Sequence, residues 1–346
     1  MRAICIYVNR GKEYKYAADV ICSELNKQGH QAVTEELFDY LDIKWMENAT
    51  DTIKHLFHML HMRFSSTAKE LDILLRFARK HCTLALKSNL EEAPADVIIG
   101  THPYAGRLMA ELLSTIGMNS IPVLYYETGI FSVSREAVSE NVSCFLIPTD
   151  APFRFAQRLN KMQIRRAPVI SSSVSRFTAA DTSDDGKLTV LVDQSREKIN
   201  PSSLITAIAK AKLNLKFIII RKDFRRYLQK AKPMTDIAYA DPSDKEVLYA
   251  KADIVIGPSE QDDIIRAMSL RKPYLIAERL RKSDYAAQYL VSHGLGCEFS
   301  FSTSEQVSLL KSLNGKKMEE FSIRYSEAEL SFDASEIVRV IAEAVK

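Results

Sequence analysis

Short, continuous apolar runs alternate along the whole chain with longer segments whose apolar residues recur at helical spacing. That alternation is the pattern of parallel α/β folds, in which a covering helix follows each strand. In the first half it predicts strands at Arg2–Val8, Ala32–Leu37, Asp96–Gly100, Val123–Glu127, Cys144–Pro148 and Pro168–Ser171. Helices are predicted between them at about Glu13–Gln28, Thr52–Phe64, Ser66–Lys87, Tyr104–Ile116 and Ala151–Lys161. Val97–Ile99 and Cys144–Ile147 are apolar at every position, as a sheet covered on both faces requires.

Between Ser171 and Gly186 the pattern stops. Small and polar residues dominate there, and Asp184-Asp185-Gly186 is a turn signal, so the domain linker is expected at 171–186. The winding then restarts with strands at Leu188–Val192, Lys216–Ile220, Ile237–Tyr239, Asp253–Gly257, Tyr274–Ala277 and Glu298–Phe301. Helices are expected at Ser202–Lys212, Asp223–Lys230, Asp244–Lys251, Gln261–Leu270 and Tyr285–His293, and the tail from Ser304 reads as helical. Two doubly wound domains follow, 1–170 and 187–330, and such sheets bind ligands at the carboxyl ends of their strands.

Composition agrees with this picture and narrows the function. At 346 residues, two domains are more natural than one. With 46% hydrophobic residues, global disorder is excluded. No run approaches the ~18 apolar residues of a membrane span. The five cysteines lack any C-x-x-C pair, which argues against a disulfide framework or thiolate zinc site and suits a reducing cytosol. A strand from the first residues is expected to follow no signal peptide. A net charge of +3 is too mild to indicate nucleic acid, and no stacking aromatics accompany the basic run Lys222, Arg225, Arg226, Lys230 and Lys232.

Several stretches carry a resemblance. Ala252–Ile276 resembles the strand, Gly-Gly turn, nucleotide-binding helix and following strand of the two-domain GT-B glycosyltransferases. The branch is that of monogalactosyldiacylglycerol synthase and the MurG-like transferases. Tyr285–Gly294 is similar to that branch's later helix, and Ala17–His30 to the helix behind its acceptor loop. Asp96–Pro103 and Cys144–Asp150 are similar to two intervening stretches, so the likeness runs in order over most of the chain. It implies a GT-B fold of two Rossmann-like doubly wound parallel-sheet domains facing a cleft. It further implies that the C-terminal helix, 331–346, packs back on the N-terminal domain. The implied reaction passes a sugar from a nucleotide-sugar donor, a UDP-sugar, to a lipid or other hydroxyl acceptor, with no cofactor or metal. The implied location is cytoplasmic, peripheral on the inner membrane face.

The positions that carry chemistry depart from that pattern. Tyr14 stands where the family has a catalytic His, and a phenol with a reference pKa near ~10 is a poor base at neutral pH. Of that loop's glycines only Gly11 remains. On the donor side Glu260 and Gln261 replace the Gly-Gly turn, and Asp262 and Asp263 follow. These acids suit a helix N-terminus but repel a diphosphate. Arg266 takes the place of the acid that holds the ribose, and a guanidinium only donates. Lys282 and Ala286 align with sugar-facing amides, and Asp193-Gln194-Ser195 replaces Gly-Gly-Ser, keeping only Ser195. Two readings follow. In one, an active transferase uses Arg266, Arg281 and Lys282 for phosphate charge. In the other, the fold persists as a catalytically silent binding or regulatory subunit acting on a protein partner.

On the acceptor side His102, at a strand's carboxyl end, is a titratable candidate, with Tyr14, Glu127 and Asp150 near it. Its alternative role is to fix the loop before Pro103. Glu127 would act as a base toward a hydroxyl, or cap a turn or pair with an Arg. His55, His58 and His61 share a helical stripe without a matching Cys or carboxylate, which reads as a half-exposed face more readily than a metal site. Arg76, Arg79 and Lys80 edge an apolar helix face that would suit either core packing or an anionic bilayer.

Overall fold

A computed structural model describes residues 1–43, 75–131, 137–149, 163–177, 187–194, 215–222, 237–278, 285–299, 302–313, 315–328 and 330–346. The expected helices Thr52–Phe64, Ala151–Lys161, Ser202–Lys212 and Asp223–Lys230 lie outside these residues, as does the first part of Ser66–Lys87. The chain forms two compact units, Met1–Ser172 with Ser331–Lys346, and Ser173–Leu330.

The first unit begins β1 (Arg2–Tyr7), α1 (Lys12–Lys27), β2 (Gln31–Glu36) and α2 (Leu37–Tyr40). It continues α3 (Thr83–Glu92), β3 (Val97–Gly100), α4 (Pro103–Thr115), β4 (Val123–Tyr126), β5 (Cys144–Ile147) and β6 (Gln163–Arg166). All neighbouring strands are parallel, in the order β2-β1-β3-β4-β5-β6. The fully apolar strands are buried on both faces, as their composition demands. One face packs Ile4, Ile98, Tyr125 and Phe145 against α2, α3 and α4. The other packs Cys5, Ile99, Leu124 and Leu146 against α1, through Ala17, Ala18, Ile21 and Leu25. The C-terminal helix α10 (Glu336–Val345) lies on this second face. Its Ile337, Val338, Val340 and Ile341 recur at helical spacing and are buried, while Arg339 and Glu343 pair outward at 2.9 Å.

The second unit runs β7 (Leu188–Asp193), β8 (Leu215–Ile220), β9 (Ile237–Ala240), α5 (Lys245–Lys251), β10 (Ile254–Pro258) and α6 (Gln261–Ser269). It ends β11 (Tyr274–Glu278), α7 (Tyr285–Ser292), β12 (Gly296–Glu298), α8 (Thr303–Ser312) and α9 (Gly315–Glu327). Its sheet is also parallel, in the order β12-β11-β10-β7-β8-β9. Val190, Phe217, Ile254 and Leu275 form a core with Leu310, Leu313 and Phe321 of α8, α9 and the turn between them.

Two expected strands move. Pro168–Ser171 is buried but not a strand: Val169 N–H donates to the Ser331 carbonyl and Ile170 N–H to the Tyr126 hydroxyl. The strand at this edge is the polar Gln163–Arg166, which an edge position permits because only one neighbour pairs with it. The last strand is Gly296–Glu298 rather than Glu298–Phe301, because its pairing with β11 starts at Gly296.

Candidate functional site

An open parallel sheet presents a crevice where its strand order reverses. In the first unit that point lies between β1 and β3, and in the second between β7 and β10.

At the first reversal, the loop after β1 enters α1 through Gly11, whose φ of 132° is strained for any residue with a side chain. Tyr14 lies in the first turn of α1. Its carbonyl accepts a 2.8 Å bond from Thr101 at the end of β3, and its ring stands edge-on to His102 with centroids 4.4 Å apart. The structure therefore brings Tyr14 and His102 together. The neighbouring Glu13 turns away, its carboxylate accepting from the Ser171 hydroxyl at 3.1 Å and from Ser172 N–H at 3.2 Å.

His102 is 7% exposed and caps α4: its Nδ1 accepts from Tyr104 N–H at 3.0 Å, with Pro103 as the first helical residue. A neutral imidazole that accepts at Nδ1 carries its proton on Nε2, so the remaining nitrogen donates. The cap sits tightly on the sheet because glycines face each other there. A Cβ at Gly100 would stand 2.4 Å from Gly106 N, and one at Gly106 would meet the Tyr125 ring at 2.8 Å. Glu127, at the end of β4, is buried; one oxygen accepts from the Tyr125 hydroxyl at 3.1 Å and the other from Gly129 N–H at 2.8 Å. Its carboxylate thus closes the turn after β4.

The second reversal is filled with charge. Asp193, the last residue of β7, accepts from Lys245 Nζ at 2.6 Å and from the Tyr249 hydroxyl at 3.1 Å. The same ammonium lies 2.7 Å from Asp263, which also accepts from Arg266 at 3.1 Å. The Arg266 guanidinium and the Lys245 ammonium both approach the face of Tyr249, at 5.4 and 5.7 Å from its centroid. Tyr274 donates to the Pro258 carbonyl at 2.7 Å, beside Gly257, where a Cβ would fall 2.4 Å from that hydroxyl. Burial drives both phenols well above their ordinary pKa. Burial also raises the pKa of Asp263, against the pull of Lys245 and Arg266.

Glu260 precedes α6 and makes no side-chain cap bond, and Gln261 is its first residue; Asp262 and Asp263 occupy the first turn. Arg266, on the same helix, is committed to Asp263. Ala286 is buried in α7. Ser195, Lys282, Arg281, Asp150, the stripe His55, His58 and His61, and the basic residues Arg225, Arg226, Lys230 and Lys232 lie outside the described residues. Lys245, Tyr249 and Tyr274 were not singled out from the sequence. A lone Lys at a helix start and two tyrosines in apolar stretches carry no signal until β7, α5, β10 and α6 converge. Among the described residues no group of three or more His, Cys, Asp or Glu is placed to hold a metal, and no helix is long and apolar enough to cross a membrane.

No family model matches the chain, and no curated protein matches it. Solved structures do. Acinetobacter baumannii MurG aligns over 99% of both chains with a TM-score of 0.59 at 13% identity. The glycosyltransferase SnogD from Streptomyces nogalater aligns over 99% of both chains with a TM-score of 0.52 at 13% identity. The fold is GT-B. The spinosyn rhamnosyltransferase SpnG, complexed with thymidine diphosphate, aligns over 99% of this chain and 100% of its own, with a TM-score of 0.52 at 13% identity.

Proposed function

We propose that this GT-B chain is a glycosyltransferase of the monogalactosyldiacylglycerol synthase / MurG-like branch. It takes a nucleoside-diphosphate sugar, a UDP-sugar, at the second unit's strand-order reversal and delivers the sugar to a hydroxyl acceptor. The observation that carries the reading is the side-chain set at the two reversals of a fold that glycosyltransferases share along its whole length. One of those proteins is complexed with a nucleoside diphosphate, the ligand class proposed here.

In such a transfer the acceptor oxygen attacks the anomeric carbon, the bond to the diphosphate breaks, and the leaving group keeps its electron pair. Stabilising that charge is the main catalytic requirement, and among the described residues Lys245 and Arg266 are cations at this reversal that would meet it. His102 orients the acceptor by donating through Nε2, since acting as a base would cost the Tyr104 cap. Glu127 is then the proton acceptor and Tyr14 a wall of the acceptor side. The acceptor class we propose is lipid-borne: Arg76 and Lys80 are exposed, Arg79 is exposed and paired with Glu111 at 2.9 Å, and Leu84 is 81% exposed.

A second reading has its own support. Lys245 and Arg266 are already matched by Asp193 and Asp263, and the two Glu127 oxygens already accept from the Tyr125 hydroxyl and from Gly129 N–H. That is the state expected of a silent homologue acting as a binding or regulatory subunit. Titrating the chain with UDP and UDP-sugars separates the readings. Binding tighter than about 1 mM supports the transferase, and no heat at that concentration supports the silent subunit.

A further inference from the structure

We propose that Asp263 sets the anion affinity of the second strand-order reversal by holding Lys245 and Arg266 as internal counter-ions, so that a diphosphate binds tightly only when Asp263 gives up its charge. This deepens the donor-site reading above and rests on it for the identity of the ligand, though not for the behaviour of the charges.

The cluster is layered. The side chains of Asp193 and Asp263 are 0% and 6% exposed, whereas those of Lys245 and Arg266 are 21% and 18% exposed. An anion arriving from solvent meets the cations first, with the carboxylates behind them. Asp193 and Asp263 cancel the two cations and Glu260 adds a further negative charge beside Tyr274, so the layer attracts an incoming diphosphate little despite presenting ammonium and guanidinium groups. Asp263 has the greater leverage of the two acids. It engages both cations, while Asp193 engages Lys245 and the neutral Tyr249 hydroxyl. Arg266 also retains a donor, since its buried Nε has no hydrogen-bond partner among the described residues.

The groups around Asp263 are Lys245 and Tyr249 from α5, Asp193 from β7, Arg266 from its own helix, Tyr274 from β11, and Glu260 just before α6, whose carboxylate acts on Tyr274. The phenols stay protonated because burial raises them. Burial also lifts Asp263, the neighbouring Asp193 adds to the lift, and the two cations oppose it. A carboxyl raised in this way takes up its proton sooner as pH falls, which frees Arg266 and leaves Lys245 facing Asp193 alone, so the cluster gains one net positive charge. Anion affinity therefore rises with acidification.

Calorimetric titrations of the full chain test this with three probes: inorganic pyrophosphate, sulfate and UDP. At neutral pH, Asp263→Asn should bind pyrophosphate about tenfold tighter than the wild type, as removal of one nearby charge implies. Adding Arg266→Gln to that variant should abolish the gain, because Arg266 is the cation whose ion pair Asp263 supplies. Sulfate keeps its double charge from about pH 8 down to about pH 4, so across that range its affinity should rise with acidification in the wild type and more steeply than in Asp263→Asn. A folded Asp263→Asn that binds pyrophosphate no better than the wild type overturns the proposal. Should that variant not fold, a flat wild-type sulfate profile overturns it and a rising one supports it. A pyrophosphate gain without any UDP gain leaves the counter-ion role standing and removes the nucleotide-sugar reading. UDP binding with no gain on substitution does the reverse.

Discussion

The hydroxyl of Tyr126 is buried where β4 ends, and it does two jobs. It donates to the Pro168 carbonyl at 2.9 Å and accepts from Ile170 N–H at 2.8 Å, fixing the extended chain that follows β6. Tyr126→Phe keeps the ring and strands both backbone groups, so it should cost about 1–3 kcal/mol for each one left unsatisfied. Urea unfolding would measure this, and a variant as stable as the wild type would mean water takes the hydroxyl's place. Its neighbour Tyr125 looks the same in sequence but donates to Glu127. Both were readable as core residues. Where each hydroxyl goes was not, because that depends on a turn and a loop brought in from elsewhere in the chain. Asp333 makes a different case. It is exposed and accepts from Ser335 through both N–H and hydroxyl, which hold its pKa below the ordinary value. A depressed carboxyl stabilises the fold above its unfolded pKa and loses that contribution as pH falls through the folded one. Asp333→Ala should therefore be less stable than the wild type at pH 7. The gap should close as pH drops below about 4, which denaturation at stepped pH would detect.

At the level of elements, the strands were legible where burial on both faces left no choice of residue. Val97–Gly100 and Cys144–Ile147 were placed to within one residue at each end. β6 was missed because Gln163–Arg166 has one pairing neighbour and little apolar content, while the buried Pro168–Ser171 next to it imitates a strand. The approach of α4 to β3 was half legible: Gly100-Thr-His-Pro103 announced a helix start, but the role of Gly106 appears only in three dimensions. Gly100→Ala drives a methyl into the α4 backbone, a contact no side-chain rotation relieves. It should cost about 1–3 kcal/mol or more and shift the His102 cap away from β3. A lower urea midpoint together with a displaced His102 imidazole resonance would bear this out. An unchanged midpoint would mean that α4 sits more loosely than its geometry states. The charged cluster at the second reversal was the least legible feature. Its acids were visible as unsuited to a diphosphate, but the Lys245 that reconciles them comes from a different helix.

The chain crosses from the first unit to the second and then returns, since Ser331–Lys346 belongs with Met1–Ser172. The return is held by an apolar stripe. Ile337, Val338, Val340 and Ile341 pack in the same core as Ala17, Ala18, Ile21 and Leu25 of α1, and α1 carries Tyr14. Burial of each branched side chain of this size contributes about 1.5–3 kcal/mol, so α10 acts as a structural part of the first unit and not as a tail. A chain ending at Leu330 should accordingly lose stability in one unit only. Hydrogen exchange should show α1, β1 and β3 losing protection, with Tyr14 and His102 released from their edge-on contact, while β7, β10 and β11 exchange as before. Uniform loss of protection in both units would mean that they unfold as one cooperative body. Unchanged protection in α1 would mean that its own packing on the sheet suffices. The single variant Ile341→Ala grades the same effect: a cavity of that size costs about 2–5 kcal/mol, and the loss should again be confined to the first unit.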